Sequence, residues 1–403
     1  MPPEPAAGPS PGELPRLCYV GSLPVEATSA SMVLLHRLLE TYPPERLRIL
    51  HARDNPEQPL HPERRLPGVP HQELPATFRR GWVFARRRLP RVFRWALAWH
   101  SRRQTVAALQ ALGNFRPEAV LTIHELFGWA TADHLARRTG AQLHLVLHDE
   151  WFRNLPMAAS LRPWFEARFS EVYRRAQSRL CVCPYMEENY RSRFGAPGTV
   201  LYPARGLGSP VHPTPPPGLE VPGPLQVAYG GNVFHRGYWE SLGHVASVLA
   251  ETNGQLHLFG PSAEAARANG LERANVVTHG FTFDLAARLR SLAHVLYLPM
   301  TFESREEPNM RVSFPSKLVE YTATGLPLLI HGPAYCSAVR WALDHPGIAA
   351  VVTEPGVAPL RAALADLSVP ARRRAFAETA IRVAQPLFSP ARAEEIFHRA
   401  LRR

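Results

Sequence analysis

The segment from Ser313 to Gly332 restricts the fold most, because it reads as a loop, a short helix and a buried strand in succession. Ser316 follows a proline and is typical of a helix N-cap. Gly325 is typical of the residue after a helix, and Pro327 prevents the helix from continuing. The apolar run at 328–330 then predicts a buried parallel strand. Because a helix N-terminus carries unpaired N–H groups and partial positive charge, this unit predicts a phosphate site.

Lys317 lies in the first turn of that predicted helix and is the only lysine in the sequence, since every other residue among the 46 basic ones is an arginine. Lysine is a compact point charge with three rotatable donors, whereas arginine is a flat fork. A site that needs a small cation beside phosphate oxygens favours lysine. The alternative is that the single lysine lies here by chance. Its position at a helix start, three residues before Glu320, favours a functional role.

The run Phe-Pro-Ser-Lys-Leu-Val-Glu-Tyr-x-Ala-x-Gly-Leu-Pro, from Phe314 to Pro327, resembles the donor-binding signature of family-4 (group 1) retaining glycosyltransferases. The resemblance implies an α/β fold of two Rossmann-like domains facing across a cleft, the B-type glycosyltransferase fold. It also implies a C-terminal helix that crosses back to the N-terminal domain. In that family Ser316 and Lys317 would contact the nucleotide diphosphate, and Glu320 would bind the ribose hydroxyls. Many members carry a glutamate where this sequence has Val312.

The length of 403 residues suits two domains. A net charge of +12 and an isoelectric point near 10.1 indicate acidic partners, such as a nucleotide sugar, anionic lipid or nucleic acid. The four cysteines show no zinc or disulfide spacing, which fits a reducing compartment. Since no signal-like segment or membrane-length apolar run is visible, we expect a cytoplasmic protein, with peripheral contact to the inner membrane face as an option.

The order of apolar runs predicts two βα arrays separated by a segment rich in proline. Residues 52–77 are predicted to form a long polar loop in the first array. The expected organisation is a disordered arm at 1–15, an N-terminal Rossmann-like acceptor domain at 16–203, a proline-rich linker at 204–224, a C-terminal Rossmann-like nucleotide-sugar donor domain at 225–385, and a C-terminal helix at 386–403 packing on the N-terminal domain.

Two predicted strands of the first array end in a histidine followed by a carboxylate: His124-Glu125 and His148-Asp149. Ligands of open parallel sheets bind at the carboxyl ends of the strands. The resemblance implies that His148 reaches the donor sugar or the acceptor, and Asp149 could fix the orientation of its ring. We therefore expect His148 and Asp149 in the catalytic site and His124 and Glu125 on the acceptor side. The alternative is that these histidines are structural.

The second array opens with Gly230-Gly231-Asn232 after a predicted strand, and its turn glycines would let the backbone approach a phosphate closely. The resemblance implies that Gly231 and Asn232 bind the donor and that Arg236 grips the diphosphate as a catalytic cation. It also implies a donor-facing Gly21 and a base-contacting loop at His279-Gly280. The alternative is an ordinary turn between a strand and a helix.

The stretch from Phe78 to Arg103 holds nine arginines, three tryptophans and no acidic residue. Trp95 and Trp99 are four residues apart, so a helix would present them on one face. Such a segment can lie on an anionic membrane surface. The alternative is a solvated arginine face over a packed apolar face. Nucleic acid is not expected, because no recognised binding fold accompanies the patch.

These features together predict a metal-independent transferase that moves a sugar from a nucleotide-diphosphate sugar to an acceptor, and the resemblance implies that the transfer retains configuration. The sequence has no Asp-x-Asp metal motif, and no cofactor is expected. The sequence leaves three kinds of acceptor open: a polysaccharide such as one of the cell envelope, a lipid-linked molecule and a small molecule. The alternatives are a nucleotide-sugar epimerase on the same fold, and an arginine-rich protein that binds membrane or nucleic acid and keeps a vestigial donor site.

Overall fold

The computed structural model describes residues 13–52, 59–76, 87–151, 157–233, 235–282 and 284–402. The chain divides into two compact units: unit 1 comprises Met1–Tyr202 and Pro390–Arg403, and unit 2 comprises Pro203–Ser389. Most of the predicted disordered arm, residues 1–12, lies outside the described residues. The first part of the arginine-rich stretch, residues 78–86, also lies outside them.

In the described part of unit 1, seven parallel strands form one sheet in the order β3-β2-β1-β4-β5-β6-β7. The apolar runs form its centre because both faces of a doubly wound sheet are covered by helices. The strands are β1 (Leu17–Gly21), β2 (Leu47–Ala52), β3 (His71–Leu74), β4 (Ala119–Ile123), β5 (Gln142–Leu147), β6 (Ser178–Cys181) and β7 (Thr199–Val200). The helices are α1 (Ala30–Leu39), α2 (Pro90–Leu112), α3 (Gly128–Thr139), α4 (Leu161–Arg175) and α5 (Pro184–Phe194).

The strand β3 contradicts the prediction of a continuous polar loop over 52–77. It pairs in parallel with β2, with Ile49 opposite His71 and Ala52 opposite Leu74. Its sequence, His-Gln-Glu-Leu, buries only the final leucine. An edge strand is paired on one side alone, so its backbone bonds hold it in the sheet without the apolar run that reveals a central strand.

Unit 2 repeats the arrangement with six parallel strands in the order β10-β9-β8-β11-β12-β13. The strands are β8 (Gln226–Gly230), β9 (Gln255–Phe259), β10 (Val276–Gly280), β11 (Val295–Pro299), β12 (Leu328–His331) and β13 (Ala350–Val352). The helices are α6 (Arg236–Glu251), α7 (Ala263–Ala268), α8 (Leu285–Leu292), α9 (Glu307–Met310), α10 (Ser316–Ala323), α11 (Ser337–Asp344), α12 (Val357–Ser368) and α13 (Pro370–Leu387).

The proline-rich segment at 204–224 is held along unit 2. The buried guanidinium of Arg373, on α13, donates from Nε to the carbonyl oxygen of Leu219 at 2.9 Å and from a terminal nitrogen to that of Val221 at 3.2 Å. The N–H of His212 also donates to the carbonyl of Ala323 at 2.9 Å. These bonds fix the segment to the helices of unit 2.

The last helix, α14 (Pro390–Leu401), packs on α1 and β6, so it belongs to unit 1 although it follows unit 2 in the chain. The fold class predicted from the sequence is confirmed in its main feature, two parallel-sheet Rossmann-like units. Among the described residues, no helix is long and apolar enough to cross a membrane.

Each sheet reverses its strand order beside its first strand: β1 lies between β2 and β4, and β8 lies between β9 and β11. Ligands of doubly wound sheets bind at such switch points, outside the carboxyl ends of the strands. The turns after β1, β4, β8 and β11 are therefore the places to look for function.

The organising segment of the sequence folds as a helix and a strand, α10 and β12, with a shift of one residue at its start. Pro315 occupies the N-cap and Ser316 is the first helical residue, so the prediction of Ser316 as the cap is wrong. Proline has the extended backbone a cap requires and no N–H that needs a partner. Gly325 follows the helix with φ of 72°, which confirms its predicted role as the terminating residue.

The turn after β1 lies directly against the first residue of α3. The Ser22 hydroxyl oxygen accepts the N–H groups of Phe127 at 3.3 Å and Gly128 at 3.0 Å. A Cβ built on Gly128 would lie 2.8 Å from the Gly21 Cα and from the Ser22 nitrogen. The close approach of the two backbones therefore requires glycine at position 128.

We expect Gly128→Ala to lower the melting temperature of the protein by several degrees, because the added methyl group forces the two backbones apart at a cost of about 1–3 kcal/mol. Gly208→Ala is the matched control, since a Cβ at that position meets nothing within 4 Å. Thermal unfolding of both variants checks the prediction. Equal melting temperatures for the two would show that this contact is not tight.

Candidate functional site

The side chain of Lys317 extends from the first turn of α10 across the glycine turn that follows β8. A Cβ built on Gly231 would overlap Lys317 Cε and lie 3.1 Å from its Nζ. The Nζ atom lies 5.6 Å from the ring centre of Tyr229, within the range of a cation–π contact. Gly231 has φ of 126°, which only glycine adopts readily. The lysine reaches this position because residue 231 has no side chain.

The hydroxyl group of Tyr321 fastens α10 to the same turn. It accepts the N–H of Gly230 at 2.7 Å and donates to the carbonyl oxygen of Gly230 at 3.1 Å. Lys317 and Tyr321 are four residues apart and therefore lie on one face of the helix. Burial raises the pKa of Tyr321, so its phenol keeps the proton that this donation needs. The spacing was visible in the sequence, but the role of Tyr321 was missed.

Lys317 carries a charge that the described part of the chain does not neutralise. None of its described neighbours forms an ion pair with it, and burial lowers the pKa of its ammonium group. The N–H groups of Ser316 and Lys317 have no acceptor among the described residues. A desolvated cation beside open N–H donors at a helix start is an arrangement that binds an anion.

Backbone hydrogen bonds link the ends of three neighbouring strands at this site. The N–H of Gly231 donates to the carbonyl of Phe259 at 2.9 Å, and that of Gly260 donates to the carbonyl of Gly280 at 2.7 Å. A Cβ on Gly260, which has φ of 108°, would lie 2.8 Å from the Gly231 carbonyl oxygen. The structure thus places Gly231 and the His279-Gly280 loop along one edge of the sheet.

The ring of His279 is fixed by its neighbours in the sheet. It stacks on Phe259 with ring centres 4.3 Å apart and planes 9° apart. Its Nε2 lies 3.0 Å from His257 Nδ1, and His257 Nε2 lies 2.8 Å from Gln226 Oε1. Because the amide oxygen of Gln226 accepts, His257 carries its proton on Nε2 and accepts from His279. This leaves Nδ1 of His279 as a hydrogen-bond acceptor.

The two predicted loop contacts, Asn232 and Arg236, point elsewhere in this structure. Arg236 is 85% exposed and its Nε pairs with Glu240 at 2.8 Å. The carbonyl oxygen of Asn232 accepts from the Tyr229 hydroxyl at 2.7 Å, which closes the turn, and the residue is exposed. The carboxylate of Glu303 accepts the N–H of Gly237 at 2.9 Å, so a protein group already occupies the start of α6. The structure therefore does not bring Arg236 to Lys317.

Glu320 lies half-buried on α10, one turn after Lys317. Its carboxylate acts on Arg205, whose pKa is lowered by burial and raised in part by Glu320. The Arg205 side chain is 3% exposed, and its Nε and one terminal nitrogen have no partner in the described chain. No sequence signal marked Arg205, because it lies 115 residues before Glu320 in a proline-rich segment. Val312 is buried in the core.

In unit 1, Glu125 and His148 meet at the carboxyl ends of β4 and β5. Burial raises the pKa of the Glu125 carboxyl, while a hydrogen bond from Ser31 and the charge of His148 act to lower it. His148 Nε2 lies 3.7 Å from a carboxylate oxygen of Asp149. One oxygen of Glu125 and Nδ1 of His148 are buried without a partner among the described residues. These two groups can bind a polar ligand.

His124, by contrast, lies in the aromatic core of unit 1. Its ring stacks on Phe169 at a centre distance of 3.9 Å, and its Nδ1 lies 3.4 Å from the Tyr190 hydroxyl. Burial lowers its pKa to about 3, so the ring is neutral. The predicted acceptor-side role of His124 finds no support in this placement, because alternate side chains at a strand end point to opposite faces. Gly21 lies at the end of β1, where a Cβ would overlap the Tyr19 hydroxyl.

No protein-family model matches the sequence, and no curated protein matches it. Solved structures do match. Alr3699/HepE of Anabaena, in complex with UDP, has a TM-score of 0.66 and 12% identity over 94% of this chain and 97% of that one. A UDP-forming α,α-trehalose-phosphate synthase of Burkholderia xenovorans has a TM-score of 0.61 and 11% identity over 96% of this chain and 99% of that one. The calicheamicin glycosyltransferase CalG4 has a TM-score of 0.53 and 14% identity over 96% of this chain and 98% of that one.

The chain has the B-type glycosyltransferase fold. At such low identity the likeness extends to the fold alone, and it covers both units, since each comparison spans nearly the whole of both chains. Within the B-type fold of this chain, the strand-end turns of unit 2 hold the Lys317 cation, with which no described acidic residue pairs, and those of unit 1 hold Glu125 and His148.

The His257–His279 pair predicts a pH dependence of stability. Burial and the neighbouring His279 and His294 lower the pKa of His257 to about 4, and burial also lowers that of His279. Unfolded histidine titrates near 6.5, so the unfolded chain binds more protons than the native chain between about pH 6.5 and pH 4. The stabilisation by this pair is complete above pH 6.5 and is lost as the pH falls towards 4.

We expect His257→Asn to make the free energy of unfolding fall less steeply between pH 6.5 and pH 4. The change in slope should correspond to about one bound proton, because asparagine can still accept from His279 but does not titrate. Denaturant unfolding of the wild type and the variant at a series of pH values measures this difference. Parallel curves for the two proteins would contradict the assignment of a depressed pKa to His257.

Proposed function

We propose that this protein is a glycosyltransferase whose unit 2 binds a nucleotide-diphosphate sugar at the glycine turn after β8. The observation that carries the proposal is the side chain of Lys317, which lies across Gly231 with no acidic partner in the described chain. A diphosphate bound at this turn would meet an ammonium group and the open N–H donors at the start of α10. The shared B-type fold supports the same reading.

The chemistry that this arrangement favours is departure of the nucleoside diphosphate. That group leaves readily only when its developing negative charge is neutralised, and each charge-assisted hydrogen bond contributes about 1.5–3 kcal/mol. Lys317 and the helix N-terminus supply positive charge at fixed positions, so the proposal includes independence of a metal ion. It also includes retention of configuration, with the acceptor entering from the face that the diphosphate leaves.

The remaining donor contacts follow from the placement of the strand-end residues. The free acceptor atom Nδ1 of His279 and the backbone at Gly280 are suited to the N–H groups of a base. Glu320, with Arg205 close to it, is suited to ribose hydroxyls. Arg236 would contact the diphosphate only after leaving its ion pair with Glu240, so we assign it a role in closing on the ligand. Asn232 shapes the turn.

In unit 1 we propose that Glu125 and His148 bind the acceptor. A carboxyl group of raised pKa beside an imidazole can accept a hydrogen bond from a hydroxyl group and exchange its proton. Asp149 would hold the orientation of His148. Gly21, at the end of β1, leaves room for the Tyr19 hydroxyl. We do not assign His124 to this group, because its ring is enclosed by Phe169 and Tyr190.

We propose that uridine nucleotides be tested first, because the HepE structures contain UDP and UDP-glucose and the synthase is UDP-forming. The setting we propose is the cytoplasm, with a cell-envelope polysaccharide or lipid-linked sugar as acceptor and peripheral contact with the membrane. The basic composition and the arginine-rich helix support that setting.

A panel of nucleoside diphosphates and nucleotide sugars, read by thermal shift, tests the donor site directly. We expect UDP and a UDP-sugar to raise the melting temperature through mass action, equally well with EDTA present. The variant Lys317→Ala should lose the shift. No shift with any nucleotide at millimolar concentration would contradict donor binding and leave a vestigial site. Release of an epimerised sugar nucleotide without acceptor would indicate the epimerase instead.

We expect Lys317→Ala to lower kcat by about 10²-fold, because the leaving diphosphate loses its compact counter-charge. Lys317→Arg should not restore activity, since a planar fork cannot occupy the space over Gly231. The matched control is Arg267→Ala, which removes an exposed cation paired with Glu272 in the same unit. Steady-state turnover of the three variants provides the measurement, and a Lys317 variant within a few-fold of wild type would remove this residue from the mechanism.

A further inference from the structure

The outward face of α2 carries an apolar stripe that no other described element covers. Val92, Trp95, Trp99 and Val106 are 49%, 70%, 48% and 56% exposed. Their spacing of three, four and seven residues places them on one side of the helix. Large exposed apolar side chains that line up in this way mark an interaction surface rather than random surface composition.

The opposite face of α2 accounts for the packing of the helix on unit 1. Phe93 is buried with its ring centre 5.6 Å from that of Phe127. Gln104 Oε1 accepts from the Thr131 hydroxyl at 2.6 Å, and Gln104 Nε2 donates to the Pro75 carbonyl at 2.8 Å. These contacts fix the rotation of the helix. The apolar stripe therefore faces outward, and the described residues do not pack against it.

Cations border the stripe along the helix, and α2 itself carries no acidic residue. Arg88 and Arg91 lie exposed before and at its first turn, and Arg102 and Arg103 lie exposed between Trp99 and Val106. The guanidinium of Arg103 lies over the Trp99 ring at 5.6 Å. These four arginines form no ion pair within the described chain, and the sequence has no acidic residue between Glu73 and Glu118.

The helix begins at the end of unit 1 where the strands end. Phe93 contacts Phe127, which lies two residues after Glu125, and Arg94 donates to the carbonyl of Ser160 at 2.9 Å beside the ring of Trp164. The buried face of α2 therefore packs beside the segment that follows β4.

We propose that the outward face of α2 is a docking surface for a bilayer that contains anionic lipid. The tryptophan rings and valines would enter the region between headgroups and acyl chains, and the bordering arginines would contact lipid phosphates. A second copy of the chain fits less well, since a two-fold contact would set arginines against arginines. Nucleic acid fits less well too, because the two valines of the stripe offer no stacking surface to bases and only the two tryptophans do.

The test is co-sedimentation of the full chain with vesicles of phosphatidylcholine alone or mixed with phosphatidylglycerol. We expect binding to the mixed vesicles, weakened by salt, and little binding to phosphatidylcholine. Trp95→Ser with Trp99→Ser should weaken binding about tenfold or more. Arg102→Gln with Arg103→Gln should weaken it about fivefold for each arginine.

Matched controls remove the same chemistry elsewhere on the surface. Leu343→Ser changes an apolar side chain of α11 that is 55% exposed, and Arg361→Gln with Arg372→Gln removes two exposed arginines of unit 2. Neither control should alter vesicle binding. Retained nucleotide-induced thermal shifts in all variants would separate this result from the fate of the donor site. If the double tryptophan variant fails to fold, Trp95→Ser alone decides, since that ring is the most exposed.

Three outcomes would overturn the proposal. The first is equal vesicle binding by the wild type and the tryptophan variant. The second is a dimer in sedimentation velocity that dissociates in the tryptophan variant, which would make the face a contact between copies. The third is binding of single-stranded RNA or duplex DNA that anionic vesicles do not displace, which would assign the face to nucleic acid.

Discussion

The contact between α10 and the glycine turn after β8 is the interaction on which the site of unit 2 depends. The Tyr321 hydroxyl bonds both backbone groups of Gly230, and the Lys317 side chain lies over Gly231. The site needs both contacts. The bonds from Tyr321 hold the start of the helix at the turn, and the absence of a side chain at Gly231 gives Lys317 its room. A flexible side chain with four rotatable bonds is thereby held in one place before any ligand binds. Such preorganisation lets a cation act on a departing anion without reorganisation during the reaction.

The two units use the same switch-point geometry for different chemistry. At the end of β8 the side chains supply positive charge and open N–H donors, which suit phosphate. At the ends of β4 and β5 they supply a buried carboxyl group and an imidazole, which suit hydroxyl groups. One buried oxygen of Glu125 has no partner among the described residues, and such groups are costly unless a ligand satisfies them. The division that we propose, with donor binding in unit 2 and acceptor binding in unit 1, would therefore follow from the residues that end each strand, on a common arrangement of strands and helices.

Much of the fold could be predicted because central parallel strands are apolar on both faces, as in β4 and β12. The strand β3 could not, because its polar sequence His-Gln-Glu-Leu is held by backbone bonds to β2. In the site, Lys317 was predictable from a local motif, whereas the bond from Tyr321 to Gly230 joins residues 91 positions apart. The roles of Arg205 and Gly128 could not be predicted either, because their contacts are also with residues far away in the sequence. The pairing of Arg236 with Glu240 was visible as an i,i+4 spacing and competes with the role that the family resemblance gave to that arginine.

The scarcity of lysine has a practical consequence at this site. Since Lys317 bears the only side-chain amine in the protein, a reagent that acylates amines labels one side chain at a known position. Burial lowers the pKa of this ammonium, which raises the fraction of free amine at a given pH. A bound anion would cover the amine and would also raise its pKa, so that more of it is protonated and unreactive. The modification rate of a single peptide, followed by mass spectrometry, thus becomes a footprint of site occupancy that needs neither an acceptor nor turnover.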